Sequence, residues 1–403
     1  MSLIVQKFGG SSVANAERVH NVARTIVDTY RQENSVVVVV SAQGDTTDEL
    51  LAKAAEINPK ASKRELDMLL SSGEQISSSL LAMAIESLGC PVISLTGWQI
   101  GMRTNSKHSN ARIKKIDTER LQKELDKHKI VIVAGFQGIN NDEDITTLGR
   151  GGSDTSAVAL AAALGADLCQ IYTDVEGVYT ADPRIVPDAK KLEEISYDEM
   201  LELASLGAGV LHNRSVELAQ KYNVKLMVLS SLTKAAGTYI KEANKVEKTL
   251  IRGVAKDNNT VKISLLDVED VPGKAFQVFS ALAKKNINVD LIIQSIGRNN
   301  KQDISFTIDK TSLNDALNAL NEAASIINAG ELVTDENVSK VSIVGSGMTT
   351  NPGIAAGMFE ALYNADINIQ MIATSEIKVS VLINQDEAER ATIALHNHFE
   401  LGK

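Results

Sequence analysis

The segment KFGGSS at residues 7–12 joins an apolar, β-branched run near the N-terminus to a helical pattern. Its paired glycines would let the backbone approach an anion closely, and the N-terminus of the following helix would favour negative charge. A lysine at the end of the strand can act as a point charge on a phosphate that is being transferred. The spacing fits neither a Walker A motif nor the dinucleotide fingerprint. Taken alone, a structural strand-to-helix turn explains the segment at least as well as an anion site.

A second glycine-rich segment, GRGGSD at residues 149–154, opens an Ala-rich helix that we expect to end near Gly165. Ser153 and Asp154 are ordinary residues for a helix start, so a structural interpretation accounts for them. It does not account for Arg150, because such a loop can be built without an arginine among three glycines. The guanidinium offers a planar fork for a carboxylate, and the backbone amides offer an anion nest. This segment therefore predicts a functional site ahead of a purely structural loop.

The segment TDVEGVYTADPR at residues 173–184 follows a buried strand and brings an acid, an aromatic ring and an arginine into one irregular loop. Asp174 could hold a ribose, Tyr179 could flank a base and Arg184 could bind phosphate. The loop would therefore suit a nucleotide. Its Asp-Pro-Arg end is equally compatible with a capped turn.

Two smaller segments add hydroxyl and acidic groups. SAQGDTT at 41–47 follows the second predicted strand, and SGE at 72–74 is expected to open a helix. Because a helix N-terminus favours an acid in any case, the residues alone favour a structural role for Glu74. The six histidines are scattered without ligand spacing, so no protein metal site is predicted. His108, in the polar loop 104–112, is expected to be a surface or lid residue.

Up to about residue 250, apolar β-branched runs alternate with helical patterns. Because these runs are continuous rather than period-two, they predict a mainly parallel sheet with helices on both faces. In such sheets ligands bind beyond the carboxyl ends of the strands. The predicted strands are Leu3–Gln6, Val36–Ser41, Val92–Leu95, Ile130–Ala134, Cys169–Thr173 and Lys225–Leu229. The predicted helices are Asn15–Tyr30, Gln75–Leu88, Asp154–Leu164 and Ser215–Lys221.

After Lys245 the chain repeats itself without a gap, at a constant offset of eighty residues. Each copy reads as strand, Pro-Gly loop, helix, Asn-containing turn and strand, followed by a further strand and helix. This self-similarity indicates two copies of one supersecondary unit. The repeat alone leaves a ligand-binding pair and a purely architectural duplication equally open. The matched pairs include Pro272-Gly273 with Pro352-Gly353, Asn288 with Asn368 and Ser295 with Ser375.

The whole chain sets broader limits. Its 403 residues predict two or three domains, and its formal charge of -10 argues against nucleic acid as a main partner. Cys90 and Cys169, the only cysteines, lie far apart in apolar runs, which argues against a disulfide framework and fits a reducing compartment. No signal-peptide pattern and no apolar run of membrane-spanning length is present. A cytoplasmic protein without a membrane partner is expected.

Together these segments resemble the amino-acid kinase family, and within it the aspartate kinases, over nearly the whole chain. The resemblance rests on the order and spacing of KFGGSS, SGE, GRGGSD and TDVEGVYTADPR. The C-terminal repeat resembles two ACT modules, particularly in VEDVPGKAFQVFSALA and INIQMIATSEIKVSVLI. The implied fold class is α/β: an amino-acid kinase fold, with a mainly parallel sheet sandwiched by helices, plus two ferredoxin-like βαββαβ ACT domains.

The resemblance also implies domain limits and a feedback site. The catalytic domain would be 1–247, the first ACT domain 260–332, and the second ACT domain 248–259 together with 333–403, interlaced with the first. Lysine, threonine or both would inhibit through the ACT domains, which would also assemble a homo-oligomer, a dimer or larger. The effector site, across a subunit boundary, would comprise Asp270, Gly273, Ala275, Gln294, Asn368 and Ile369.

The activity that the resemblance implies is ATP-dependent phosphorylation of the β-carboxylate of L-aspartate, the first step towards lysine, threonine and methionine. The ATP would carry Mg²⁺, held mainly by its phosphates. The catalytic residues would be Lys7 and Asp154. Aspartate would be bound by Ser41, Thr47, Glu74, Arg150 and Ser153, with Glu74 on the ammonium and Arg150 on a carboxylate. The nucleotide would be bound by Lys7, Gly9, Gly10, Ser11, Thr173, Asp174, Tyr179 and Arg184.

Two alternatives stay open at this point. One is a kinase for another acidic amino acid, and the other is a non-catalytic amino-acid sensor on a kinase scaffold. The sequence departs from the family pattern at Gln43, where Met is frequent, and at Gly209 and Leu232, where Lys occurs in relatives. These departures affect contacts at the rim of the nucleotide site rather than its centre.

Overall fold

A computed structural model of the chain describes residues 1–206, 210–242, 251–295, 297, 299–346, 348 and 351–403. These residues form two compact units. The first unit contains residues 1–179, 191–205 and 210–242, and the second contains residues 180–190, Leu206 and the described residues from 251 onward. In these parts of the chain, no helix is long and apolar enough to cross a membrane.

The described residues of the first unit form twelve strands and seven α-helices. Its strands are β1 (Leu3–Phe8), β2 (Ser35–Val40), β3 (Val92–Leu95), β4 (Arg103–Thr104), β5 (Ile113–Lys115), β6 (Ile130–Ala134), β7 (Gln137–Ile139), β8 (Ile145–Thr147), β9 (Leu168–Thr173), β10 (Glu194–Ser196), β11 (Leu226–Ser230) and β12 (Thr238–Lys241). Its helices are α1 (Ala16–Arg31), α2 (Thr46–Ile57), α3 (Lys63–Ser87), α4 (Glu119–Leu125), α5 (Gly152–Leu164), α6 (Tyr197–Ser205) and α7 (Asn213–Tyr222). All six predicted strands are present, with ends that differ by no more than two residues.

The main sheet has the strand order β10-β12-β11-β9-β1-β2-β6-β3. Every pair in it is parallel except β11 with β12. A smaller sheet, ordered β5-β4-β7-β8, was not predicted, because its strands are only two or three residues long. The chain leaves β1 towards β2 on one side and later places β9 on the other. The order therefore reverses at β1, the position at which open α/β sheets form a ligand crevice.

The two faces of the main sheet are covered by different helices. Phe8 and the even-numbered valines of β2 pack with apolar residues of α1 and α3 in one buried cluster. Lys7, which follows Gln6 and precedes Phe8, points to the opposite face because successive strand residues alternate. Helix α5 covers that face and contacts β1, β2 and β9. The predicted sandwich of helices around a mainly parallel sheet is confirmed.

The prediction for helix α3 was wrong at its N-terminus. The helix begins at Lys63 rather than Gln75, so Ser72, Gly73 and Glu74 lie in its middle instead of opening it. Ser62 caps it, because its hydroxyl oxygen accepts a hydrogen bond from the amide of Glu65. The hydroxyls of Ser71 and Ser72 donate to carbonyls three residues earlier, so these residues are accommodated inside a helix that their propensities disfavour.

The second unit contains both copies of the repeat. Its strands are β13 (Gly253–Asp257), β14 (Thr260–Glu269), β15 (Ile292–Gln294), β16 (Lys301–Asp309), β17 (Glu331–Asp335), β18 (Val338–Val344), β19 (Met371–Thr374) and β20 (Lys378–Asn384). Its helices are α8 (Lys274–Lys284), α9 (Leu313–Glu322), α10 (Ala324–Ile327), α11 (Ile354–Asn364) and α12 (Ala388–His398). They form two antiparallel four-stranded sheets, ordered β15-β16-β14-β17 and β13-β18-β20-β19.

The two sheets repeat one plan with one exchange. The first copy is a complete βαββαβ unit, closed by β17, which extends three residues past the predicted boundary at residue 332. In the second copy the equivalent edge strand is β13, which precedes the first copy in the chain and pairs with β18. Both Pro-Gly loops hold their glycine at a left-handed φ, 99° at Gly273 and 104° at Gly353. The predicted ferredoxin-like fold of both copies is confirmed, whereas the exact domain limits stay predictions.

Residues 180–190 fall in the second unit, although the sequence placed them in the catalytic domain. The main-chain carbonyl of Thr180 accepts a 2.8 Å hydrogen bond from the amide of Val254. The Thr180 hydroxyl lies 3.0 Å from Nε2 of His396, a buried residue of α12. The sequence did not predict that residues 180–190 belong to the second unit, because the hydrogen bonds that hold them there join residues far apart in the chain.

Candidate active site

Three of the predicted segments begin at one edge of the main sheet. In the register of the parallel strands, Phe8 lies beside Val40 of β2 and beside Tyr172 of β9. Gly9 and Ser41 therefore leave the sheet close to Thr173, the last residue of β9. Parallel strands align their carboxyl ends, so this convergence follows from the topology rather than from spacing in the sequence.

A buried ion pair links β1 to α5. Nζ of Lys7 lies 2.6 Å from Oδ1 of Asp154, and the two side chains are only 11% and 12% exposed. Asp154 is in the first turn of α5, where the helix dipole favours a negative charge. Little water competes for this pair, so it holds the ammonium group in a defined place at the sheet edge. A cation held in this way can neutralise a transferring phosphate.

The turn after β1 packs tightly against the loop after β2. A Cβ added at Gly10 would lie 2.7 Å from the carbonyl oxygen of Ala42, so no other residue fits there without displacement. The amide of Gly44 donates a 3.1 Å hydrogen bond to the carbonyl of Gly10. The loop around Gln43 is further held to the turn, because its Nε2 donates to the carbonyl of Val13. This close approach explains the second glycine of KFGGSS.

The turn after β1 is also joined to the end of β9, through Ser231. The Ser12 hydroxyl donates to Oγ of Ser231 at 2.7 Å. Oγ of Ser231 in turn donates to the carbonyl of Thr173 at 3.1 Å. Ser11 is exposed on the outer side of the turn. Ser231 was missed in the sequence, since a lone serine after a strand carries no signal there.

Glu74 is the most perturbed acid at this edge. It is 3% exposed, and its Oε1 accepts a 3.2 Å hydrogen bond from the amide of Ala42. Burial raises the pKa of Glu74 to about 8, against an ordinary value of 4.5. Its helix can approach Ala42 because residue 73 is glycine: an added Cβ there would lie 2.8 Å from the Ala42 Cβ. The prediction that Glu74 opens a helix is wrong, because Glu74 lies in the middle of α3. Its role in binding aspartate stays a prediction.

The GRGGSD segment forms the predicted turn into α5. Arg150 is exposed between two glycines in left-handed conformations, with φ of 81° at Gly149 and 68° at Gly151. A Cβ added at Gly151 would lie 2.4 Å from the Cβ of His212, so the turn runs directly over that residue. Ser153 is buried beside Gly135, where an added Cβ would lie 2.8 Å from the Ser153 Oγ. Ser41 and Thr47 lie half-buried at the end of β2 and in the first turn of α2.

The predicted nucleotide loop is divided between the units. Thr173, Asp174 and Tyr179 belong to the first unit, where the Thr173 hydroxyl donates to Oδ1 of Asp174 at 3.0 Å. Burial and the Glu176 carboxylate raise the pKa of Tyr179. Arg184 belongs to the second unit and forms a forked pair with Asp182, whose pKa it lowers. Leu232 is exposed, and Gly209 lies outside the described residues.

The predicted effector residues lie in different parts of the two copies: around the start of α8 and the end of β15 in the first, and between α11 and β19 in the second. Asp270 follows β14, and a Cβ added at Gly297 would lie 2.1 Å from its Oδ2, so glycine is needed beneath this carboxylate. Gly273 and Ala275 start α8, and Gln294 ends β15 with its Nε2 bonded to Oε1 of Gln302. In the second copy, Asn368 is exposed and Ile369 packs against the core before β19.

Comparisons with known proteins agree with this architecture. The model of the amino acid kinase family matches residues 2–230, and the model of the ACT domain matches residues 266–324 and 341–399. The aspartokinase of Corynebacterium glutamicum is 51% identical over 408 aligned residues, which cover 100% of this chain and 97% of the relative. Aspartokinase 2 of Bacillus subtilis is 50% identical, covering 100% of this chain and 99% of the relative. The chain belongs to the aspartokinases.

Solved aspartokinase structures give the same result. E. coli aspartokinase III in complex with aspartate and ADP has a TM-score of 0.85 at 28% identity, with 98% of this chain and 99% of that chain covered. The same enzyme in complex with lysine and aspartate has a TM-score of 0.78 at 28% identity and the same coverage. The family resemblance inferred from four short segments is thereby confirmed for the whole chain.

Two charged side chains that contact the segment before Arg150 were not singled out in the sequence. Asp67 is fully buried on α3, and Arg214 is half-buried on α7. His108, expected to be a surface or lid residue, is half-buried, and its Nδ1 lies 3.0 Å from Oδ2 of Asp67. The one available signal was the position of Asp67, seven residues before Glu74, which places both acids on the same face of a helix. That signal required knowing that α3 extends back to Lys63.

Proposed function

We propose that the protein transfers the γ-phosphoryl group of ATP to the β-carboxylate of L-aspartate and that lysine, threonine or both inhibit it through the ACT copies. The observation that carries the catalytic part concerns Ala42. Its carbonyl packs against Gly10 of the anion-type turn, while its amide binds Glu74. One residue therefore joins a phosphate-type loop to a buried acid suited to an ammonium group. A kinase whose acceptor is an amino acid needs these two subsites side by side.

The chemistry needs charge neutralisation more than proton transfer. A β-carboxylate is already ionised near neutral pH, so no strong general base is required. The obstacle is the approach of two anions, which Lys7 offsets at the end of β1. Asp154 orients that ammonium group through the 2.6 Å ion pair. Correct alignment of the two substrates supplies much of the remaining rate enhancement.

Aspartate would be held by groups of both charges. Glu74 would accept its ammonium group, and Arg150 would bind a carboxylate with its planar fork. Ser41, Thr47 and Ser153 would supply hydrogen bonds from hydroxyls. Arg150 is exposed, so its guanidinium is open to such a ligand.

The nucleotide would enter as MgATP. Gly9, Gly10 and Ser11 would approach its phosphates, and Thr173, Asp174, Tyr179 and Arg184 would line the rest of its site. Among the described residues, no group of three or more His, Cys, Asp or Glu side chains could hold a metal ion. Mg²⁺ would be held mainly by the triphosphate, since it keeps several waters and prefers phosphate oxygens.

Regulation would run through the paired ACT copies of a homo-oligomer in the cytoplasm. An effector that binds one arrangement better than another shifts the population towards it. Asp270 offers a carboxylate for the ammonium group of an amino acid, and Asn368 offers an amide. We expect Asp270→Ala to abolish inhibition by the active effector while the uninhibited rate stays within about twofold. Inhibition that survives in this variant would remove Asp270 from the effector site.

The decisive experiment measures ADP release from purified full-length protein with ATP and Mg²⁺ against a panel of acceptors. Aspartate, glutamate, N-acetylglutamate and no acceptor form the panel, each with and without lysine and threonine, singly and together. We expect turnover with aspartate only and inhibition by at least one effector. Preferred use of another acceptor would identify a different amino-acid kinase. Binding of lysine or threonine without ATP or aspartate binding, measured by calorimetry, would identify a sensor.

A further inference from the structure

The loop between β4 and β5 is fastened to the strand that leads into Arg150. The amide of Ala111 donates a 2.9 Å hydrogen bond to the carbonyl of Thr147. The hydroxyls of Thr104 and Thr146 lie 2.6 Å apart. These contacts join loop 105–111 to the end of β8, two residues before Gly149. Two charged side chains from distant helices reinforce the junction at its two ends.

At one end, the carboxylate of Asp67 on α3 accepts hydrogen bonds from both loop 105–111 and β8. Its side chain is 0% exposed, and an ionised carboxylate can only accept hydrogen bonds. From the strand it accepts the Thr147 amide at 2.9 Å and the Thr147 hydroxyl at 2.7 Å. From the loop it accepts the Ser109 amide at 2.9 Å and contacts Nδ1 of His108 at 3.0 Å. A buried carboxylate is tolerated only with such a set of donors.

At the other end, Arg214 of α7 holds the same two segments by their carbonyls. Nη1 donates to the carbonyl of Leu148 at 2.9 Å, and Nη2 donates to the carbonyl of Ala111 at 2.7 Å. The fork geometry of the guanidinium matches two carbonyls at once, which a lysine cannot do. Partial burial lowers the pKa of Arg214. Arg214 thus bridges loop 105–111 and residues 147–149 through contacts that do not involve Asp67.

The fastened loop bears directly on the residue before Arg150. A Cβ added at Gly149 would lie 2.9 Å from the carbonyl oxygen of Ser109, so the two segments touch through their main chains. Ser109 has a φ of 64°, a left-handed conformation that costs a non-glycine residue on the order of 1 kcal/mol. Its hydrogen bonds to Asp67 hold it there. The position of the Gly149 turn is therefore set by a loop that Asp67 keeps in a strained shape.

Asp67 also shares a helix face with Glu74. Seven residues make almost two full turns, so the two acids lie on one side of α3, about 10 Å apart along its axis. Between them, the carbonyl of Ser71 accepts a 2.8 Å hydrogen bond from Nε2 of Gln137 on β7. Helix α3 thereby carries Glu74 and, through Asp67, the loop that abuts the turn of Arg150. Helix α3 would therefore help to position the groups that bind both ends of an aspartate.

We propose that Asp67 and Arg214 are positioning residues of the aspartate site, which fasten loop 105–111 to residues 147–149 and so fix Arg150 relative to Glu74. This inference rests on the proposed function. Neither residue is assigned contact with a substrate. Their effect is on the aspartate subsite rather than on the turn after β1, so the two substrates should respond differently to their loss.

The first test replaces Asp67 with Asn in the full chain and measures KM for aspartate and for ATP, together with kcat. The amide cannot accept at both positions, so the Ser109 and Thr147 donors lose partners. We expect KM for aspartate to rise about tenfold or more while KM for ATP changes by less than about twofold. The matched control is Glu124→Gln, which removes another buried carboxylate, held by Lys127 and Lys129 away from the loop. It should lower thermal stability without separating the two KM values.

Three further variants decide the matter even where Asp67→Asn fails to fold. Thr147→Val removes the hydroxyl that donates to Asp67 at 2.7 Å, while Thr147→Ser keeps it. Arg214→Lys keeps the charge but cannot bridge two carbonyls. We expect Thr147→Val and Arg214→Lys to raise KM for aspartate selectively and Thr147→Ser to restore it to within about twofold of the original value.

The contrary results are equally definite. Equal changes in both KM values, matching those of Glu124→Gln, would show that Asp67 only stabilises the fold and would overturn the inference. An unchanged KM for aspartate in folded Asp67→Asn or Arg214→Lys would do the same. Absence of aspartate-dependent turnover in the unmodified protein would instead overturn the proposed function, so the two failures are distinguishable.

Discussion

The main-chain amide of Ala42 donates its hydrogen bond to Oε1 of Glu74, while Oε2 of Glu74 is buried without a hydrogen-bond partner among the described residues. Burial is the main reason why the pKa of Glu74 rises to about 8, and the hydrogen bond from Ala42 offsets only part of that rise. A carboxyl group in this condition gains most from a cationic ligand, because a nearby positive charge favours its ionised form. An ammonium group would meet that requirement.

We predict that Glu74→Gln stabilises the ligand-free protein increasingly as pH rises from 5 to 8. The folded-state pKa of Glu74 lies above its unfolded value, so the folded state keeps a proton that the unfolded state loses. The stabilisation of the fold by this proton is full below about pH 4.5 and is lost as the pH rises through about 8. The free energy of unfolding falls by at most about 1.4 kcal/mol per pH unit over this range. Gln does not titrate. The melting temperatures of the two proteins should therefore diverge over this range.

The control for this measurement is Glu86→Gln, an exposed acid on the same helix. Its melting temperature should follow that of the unmodified protein at every pH. Parallel melting curves for Glu74→Gln and the unmodified protein from pH 5 to 8 would show that Glu74 is ionised in the folded state without a ligand. The same variant should also raise KM for aspartate.

We predict that aspartate binding releases protons at pH 7. Glu74 is mostly protonated there before binding, and an adjacent ammonium group would ionise it. Phosphate and Tris differ in their ionisation enthalpies, so calorimetric titrations in the two buffers should give different binding enthalpies. The difference should correspond to the release of up to about one proton per site. The difference should vanish above about pH 9. Buffer-independent enthalpies at pH 7 would contradict a Glu74–ammonium contact.

We predict that Lys7→Ala lowers kcat by at least about a hundredfold, because removing one electrostatic stabiliser of a transition state typically has this effect. The helix content measured by circular dichroism should stay intact. Lys225→Ala, at an exposed lysine over the Tyr239 ring, is the control and should keep normal turnover. A near-normal rate in Lys7→Ala would remove Lys7 from the catalytic site.

We predict that Gly73→Ala impairs aspartate binding although alanine favours helices. In an open helix interior the change would stabilise by about 1 kcal/mol. Here the new Cβ would lie 2.8 Å from the Ala42 Cβ, so α3 or the Ala42 loop must move and strain the Ala42–Glu74 hydrogen bond. KM for aspartate should rise severalfold, whereas Ser79→Ala, on the exposed side of α3, should leave it unchanged. A more stable Gly73→Ala with unchanged KM would refute the close packing.

The central strands could be predicted because their apolar β-branched runs are continuous. Val36–Val40 is buried along its whole length, so every position of this segment of β2 requires an apolar side chain and has one. The start of α3 could not be predicted in the same way. Its Ser71-Ser72-Gly73 run has the local propensities of a break, and only packing of Gly73 against Ala42 makes it a good helix interior. Local propensity yielded to a tertiary contact.

By itself, the sequence determined the strand-helix alternation, the duplicated C-terminal unit and the residue types of an anion-binding edge, since each rests on short-range patterns. Only the tertiary structure decided that Glu74 is buried with a raised pKa, that residues 180–190 belong to the second unit, and that Asp67 and Arg214 fasten the loop beside Gly149. These features depend on contacts between residues distant in the chain. Their energies depend on burial and on the geometry of hydrogen-bond donors, and neither can be predicted from the spacing of residues along the chain.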